Sequence, residues 1–122
     1  MSDEMKKYGI SVSVHAPYFT NISSVEPEKI DNTIKYILQS ANAAHHMGAD
    51  RLVVHMGAAK DITRRYAMEI SKTTIERALN ELDNAGLGDV TLCMETIGKI
   101  NQMGTIEEVM ELCTMDERLL PT

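Results

Sequence analysis

Three short stretches of the chain are crowded with β-branched and aliphatic residues: Ile10 to His15 (ISVSVH), Arg51 to His55 (RLVVH) and Val90 to Glu95 (VTLCME). Runs of this length and composition predict strands near 10–15, 51–55 and 90–95. The intervening segments repeat their apolar residues every three or four positions instead. Ile30, Ile34, Ile37, Leu38, Ala41 and Ala44 form one such stripe, and Ala67, Ile70, Thr74, Ala78 and Leu82 form another. This is the spacing of a helix with one face on a core. Local punctuation sets the ends. Pro27 suits a first helical turn, Gly48 and Gly86 suit C-terminal caps, and Thr105-Ile106-Glu107-Glu108 has the spacing of a capping box. Helices are therefore predicted near 28–47, 63–85 and 105–115.

The order strand, helix, strand, helix, strand, helix predicts an α/β fold whose strands run parallel through right-handed crossovers, with helices covering the sheet. No linker or low-complexity tract divides the 122 residues, so a single domain spanning 1–122 is expected. The formal net charge of −6 has the wrong sign for gripping nucleic acid over the whole surface, and any such contact must be local. Cys93 and Cys113 form no closely spaced pair, and each sits in an apolar run, which predicts free thiols in a reducing compartment. The polar start, Met1 to Lys7, lacks the apolar core of a signal peptide, and no stretch reaches the length of a membrane span. A cytoplasmic protein without membrane contact is the expectation.

The candidate chemistry lies at the strand ends. His15, His55 and Glu95 each close a predicted strand, at positions 15, 55 and 95. In a parallel βα array all strands end on one rim, so side chains at equivalent places converge. Two imidazoles and a carboxylate with one open position make a catalytic zinc set, and the same donors suit manganese or iron. His45 and His46 point in different directions near a helix C-terminus, where the dipole alone explains a histidine.

The wording at these strand ends, Ser13-Val14-His15-Ala16-Pro17-Tyr18, Leu52-Val53-Val54-His55-Met56-Gly57 and Leu92-Cys93-Met94-Glu95-Thr96, resembles the third to fifth strands of the endonuclease IV family. That family belongs to a wider group of TIM barrels that includes sugar isomerases and epimerases. The resemblance runs from about Ile10 to Glu117 and implies three consecutive βα units of a (β/α)8 barrel, an incomplete barrel. It implies zinc-dependent hydrolysis of DNA at abasic sites. In that scheme His15 and His55 bind one zinc, and Glu95, the catalytic carboxylate, bridges it to a second zinc of a trinuclear site. Tyr18, Phe19 and Asn21 would approach DNA, with Lys60, Arg64, Arg65 and Lys99 giving the rim local positive charge.

Two departures stand out. Met56 replaces the proline usual after the second histidine in the nuclease branch, and Thr96 replaces the asparagine common after the glutamate. Three strands of eight leave most ligands of two zincs unsupplied, which predicts an inactive chain on its own and either self-association or a missing remainder of the barrel. A metal-dependent sugar-phosphate isomerase or epimerase and a non-catalytic fragment are the competing expectations.

Overall fold

A computed structural model describes residues 7–9 and 11–122 of the chain. Met1 to Lys6 and Ile10, which include most of the polar N-terminal stretch and the start of the first expected strand, lie outside the described residues. The elements are β1 (Ser13–His15), α1 (Pro27–His46), β2 (Arg51–Val54), α2 (Arg64–Asn84), β3 (Thr91–Met94), α3 (Ile106–Cys113) and β4 (Leu119–Pro121). All strand pairings are parallel, in the order β1-β2-β3-β4. The three expected βα units are present, and a fourth strand follows them. It spans three residues, too few for an alternation to show in sequence, and its pairing defines it: Leu119 stands opposite Leu92, and Pro121 opposite Met94.

The helices end where side-chain chemistry stops them. Pro27 opens α1, where its missing N–H costs nothing. Beyond α1 and α2, Gly48 at φ 76° and Gly86 at φ 73° turn the chain left-handed. The next N–H groups then reach back into the helices, Ala49 to the Ala44 carbonyl and Leu87 to the Leu82 carbonyl, both at 2.8 Å. The Thr105 hydroxyl accepts from the Glu108 N–H while the Glu108 carboxylate accepts from the Thr105 N–H, so the expected capping box at α3 is complete.

Strand alternation then divides the sheet into two unlike faces. Leu52, Val54, Leu92, Met94 and Leu119 pack against Ile34, Ile37, Ala41, Ala67, Ile75, Ala78, Leu82, Val109 and Leu112, forming one core between sheet and helices. The other face presents Ser13, His15, Arg51, Val53, Thr91 and Cys93. Part of it lines a cavity of about 330 Å³ with Leu120 and Pro121. Parallel pairing puts the C-terminal ends of β1, β2 and β3 side by side, and the candidate site stands on that rim.

Candidate metal centre

His15 is the last residue of β1; His55 and Glu95 each come one residue after their strand. The register sets His55 level with Glu95, one residue past the Val54–Met94 pair, while His15 stands opposite Val53 and Cys93, two residues nearer the start of the sheet. The three side chains meet there, with one donor atom from each within 4.8 Å of the others. Glu95 Oε2 lies 2.9 Å from His15 Nε2 and 3.1 Å from His55 Nε2. The imidazole rings lie 4.8 Å apart, centroid to centroid, tilted by 48°. His15 is the most open of the three and His55 the most enclosed, at 45% and 20% side-chain exposure.

The arrangement suits a divalent ion. His15 Nδ1–H donates to the Ala16 carbonyl at 2.6 Å, so Nε2, which faces Glu95, is the ring atom that would present its lone pair to a cation once it gives up its proton. That same hydrogen bond is the largest cause holding the His15 pKa above its ordinary value; burial works against it, and Glu95 adds to it. A tetrahedral zinc about 2.0 to 2.2 Å from each ligand needs donors roughly 3.3 to 3.6 Å apart, so the two histidine–carboxylate contacts, at 2.9 and 3.1 Å, have to open by a few tenths of an ångström. The partly exposed rim leaves room for a further ligand. Two neutral imidazoles and a carboxylate match the borderline character of zinc, manganese or iron(II).

The loops behind these residues are braced against one another. Gly57, two residues past His55, has φ 92°, and a Cβ there would sit 2.2 Å from Asn21 Oδ1 and 2.8 Å from Asn21 Cα. The Gly57 carbonyl accepts from the buried Met103 N–H at 2.8 Å, and the Met56 carbonyl accepts from the Ser23 hydroxyl at 3.0 Å. Loops after all three strands are thereby joined to one another.

The remaining sequence candidates do not join the cluster. Tyr18 is 83% exposed on the loop after β1, and Phe19 stands edge-on to both Tyr18 and Tyr36. Asn21 is engaged inside its own loop, where Oδ1 accepts from the Ser23 N–H at 2.9 Å. Lys60 lines an open groove with Asp61, Arg64, Ile100 and Gln102. Arg64 and Arg65, expected to charge the rim, are paired instead: Arg64 with Glu108, and Arg65 with Glu69 and Glu111. Sequence reading missed the Arg64–Glu108 pair because its partners lie on different helices, and only the capping box marked Glu108 at all.

His46 Nδ1–H donates to its own helix, at the Asn42 carbonyl, and His45 faces Asp89, in keeping with the structural role expected of both. Cys93 and Cys113 are free thiols whose pKa values burial pushes up, which makes them poor nucleophiles. No described helix is long and apolar enough to cross a membrane.

Comparison with known proteins bears on this geometry. The family profile described as xylose isomerase-like TIM barrel matches residues 1–118. A protein of Methanocaldococcus jannaschii described as uncharacterized is 35% identical over 112 residues, covering 90% of this chain and 40% of that protein. A probable endonuclease 4 of Symbiobacterium thermophilum is 34% identical over 110 residues, covering 88% of this chain and 38% of that protein. Among solved structures, a D-tagatose 3-epimerase-like protein superposes with a TM-score of 0.77 at 17% identity, over 97% of this chain and 46% of that one. The chain thus spans about 40% of the length of the curated relatives it matches.

Proposed function

The chain belongs to the xylose isomerase-like TIM-barrel family, and from that membership we propose that it supplies one metal centre of an endonuclease IV-like phosphodiester hydrolase acting on abasic sites in DNA. The observation that carries the reading is the convergence of His15 Nε2 and His55 Nε2 on one oxygen of Glu95 at the C-terminal rim of a parallel sheet. In barrels of this class that rim is where chemistry takes place. The choice of a nuclease over other members rests on sequence likeness, since a relative named probable endonuclease 4 is 34% identical over 88% of this chain.

A divalent ion held by His15, His55 and Glu95 would supply Lewis-acid polarisation and a water acidic enough to ionise near neutral pH. The chain's own residues set the rest. The Ala16 carbonyl fixes the His15 tautomer. Glu95, with one oxygen between two imidazoles, has its second oxygen left to hold a proton. Tyr18, exposed three positions after His15, offers a flat face to an unstacked nucleotide; Phe19 supports it edge-on, and Lys60 lies in the next loop to meet phosphate. Asn21 serves by shaping the Tyr18 loop.

A sugar epimerase is the second reading, because the fold is shared with a D-tagatose 3-epimerase-like protein at 17% identity. Met56 is fully buried, and Thr96 directs both its N–H and its hydroxyl to the Thr122 carbonyl, so neither residue faces the site in the manner of a substrate contact. The test is metal content by elemental analysis for the unsubstituted chain and His15→Ala, with nicking of an abasic duplex measured alongside turnover of a ketohexose. Stoichiometric zinc lost in His15→Ala, together with nicking, supports the nuclease. Zinc with ketohexose turnover and no nicking transfers the centre to sugar chemistry, and no metal in either protein overturns both readings.

A further inference from the structure

The loop between Glu95 and Thr105 has little apolar burial to hold it. Thr96, Gly98, Lys99, Ile100 and Asn101 are exposed, Ile100 to 92%, and only Met103 and Gly104 are buried. A segment of this kind pays full backbone entropy for a fixed shape and needs polar contacts to keep it. Beside backbone bonds such as Met103 N–H to the Gly57 carbonyl, several of these contacts come from one guanidinium. Arg64, at the first position of α2, donates from Nη1 to the Ile100 carbonyl at 3.0 Å and from Nη2 to the Gln102 carbonyl at 2.9 Å. Its Nε and Nη2 also grip Glu108 at 2.9 and 2.7 Å in a forked pair. Glu108 Oε1 then accepts from the N–H groups of Gly104 and Thr105, both at 3.0 Å.

The loop closes back on Glu95. The Ile97 N–H donates to the Gly104 carbonyl at 2.8 Å, and a Cβ on Gly104 would lie 3.1 Å from the Glu95 carbonyl. The pinned end of the loop therefore touches the backbone of the residue whose side chain faces both histidines. We infer that Arg64 and Glu108 are a positioning pair: by fixing the 95–104 loop they aim the Glu95 carboxylate at His15 and His55 and so set the affinity and coordination geometry of a divalent metal there. This rests on the metal-centre reading above. A lysine at position 64 keeps the charge but lacks the planar fork that serves a carboxylate and two carbonyls together.

The experiment measures zinc affinity by competition with a chromophoric chelator and the visible absorption of the cobalt(II) form. Alongside runs amide hydrogen exchange at Ile97, Met103 and, as a core reference, Leu92. It uses the unsubstituted chain, Arg64→Lys, Glu108→Gln and Arg77→Ala, the last breaking an exposed pair with Asp31 away from the site. Outer residues that orient ligands typically change metal affinity by about 10- to 100-fold. Arg64→Lys and Glu108→Gln are expected to weaken zinc at least about tenfold, alter the cobalt band, and speed exchange at Ile97 and Met103 more than at Leu92, with Arg77→Ala unchanged. Arg64→Lys remains informative if Glu108→Gln does not fold.

Zinc affinity within twofold of the unsubstituted chain in a folded Arg64→Lys, with the cobalt spectrum unmoved, overturns the inference, whatever the loop does. So does unchanged exchange at Ile97 and Met103, because the pair then does not hold the loop. An unsubstituted chain that takes up no metal refutes the metal centre and this role with it, an outcome told apart from failure of the pair alone by the unsubstituted protein.

Discussion

Replacing Glu108 by glutamine should remove a block of stability that depends on pH in a particular way. Glu108 is only 12% exposed. Burial pushes its carboxyl upward, but hydrogen bonds from Arg64, Gly104 and Thr105 outweigh that and bring it from 4.5 to about 2. A depression of this size corresponds to about 3 kcal/mol of folding stability. Because the folded-state value is the lower one, the contribution is fully present above pH 4.5 and is lost as the pH falls toward 2. Glutamine keeps an oxygen for the Gly104 and Thr105 N–H groups but gives up the charge-assisted fork to Arg64, so most of the 3 kcal/mol goes with the charge. The assay is urea unfolding by circular dichroism on both proteins from pH 7 to pH 3. The unsubstituted chain should lead by about 3 kcal/mol at pH 7 and by about 1 kcal/mol at pH 3. A gap that stays constant across that range would refute the reasoning, since the stabilisation would not belong to the ionised carboxylate.

Gly57→Ala combines a positive φ with a Cβ driven into Asn21 and is expected to cost about 2 to 4 kcal/mol in urea unfolding. Gly86→Ala, at φ 73° with open space around it, should cost only about 1 kcal/mol, and equal losses would show that the Asn21 approach is unimportant. Tyr18→Ala should leave the unfolding free energy within about 0.5 kcal/mol and weaken binding to an abasic duplex about tenfold by fluorescence anisotropy; unchanged binding removes Tyr18 from the DNA contact. Among the described residues β1 and β4 each leave one edge unpaired, and Val53 and Leu120 lie on the face away from the helices. Sedimentation velocity should therefore show concentration-dependent self-association, whereas a single monomeric species up to high concentration would count against it.

Local signals carried most of the fold. Helix periodicity, Pro27, the glycines at 48 and 86 and the Thr105 capping box act within a few residues of themselves, so they are legible in the chain and reappear in the structure within one or two residues. The even placement of His15, His55 and Glu95 was legible for a related reason. A repeating strand–helix unit of constant length returns the chain to the same rim, and parallel register then brings the three donors together.

What sequence left open depends on which distant groups meet. β4 exists only as a partner for β3, because three residues have no periodicity of their own. Arg64 and Arg65 read as free surface charge, and tertiary packing gave them to Glu108, Glu69 and Glu111 instead. The Asn21 side chain accepts from the Ser23 N–H and lies against Gly57, contacts that no local pattern announces. Hydrophobic pattern fixes which face of an element is buried. The partner of a particular guanidinium or amide follows only from how the elements dock, because many sequence-distant acceptors are chemically equivalent until the chain brings one of them within 3 Å.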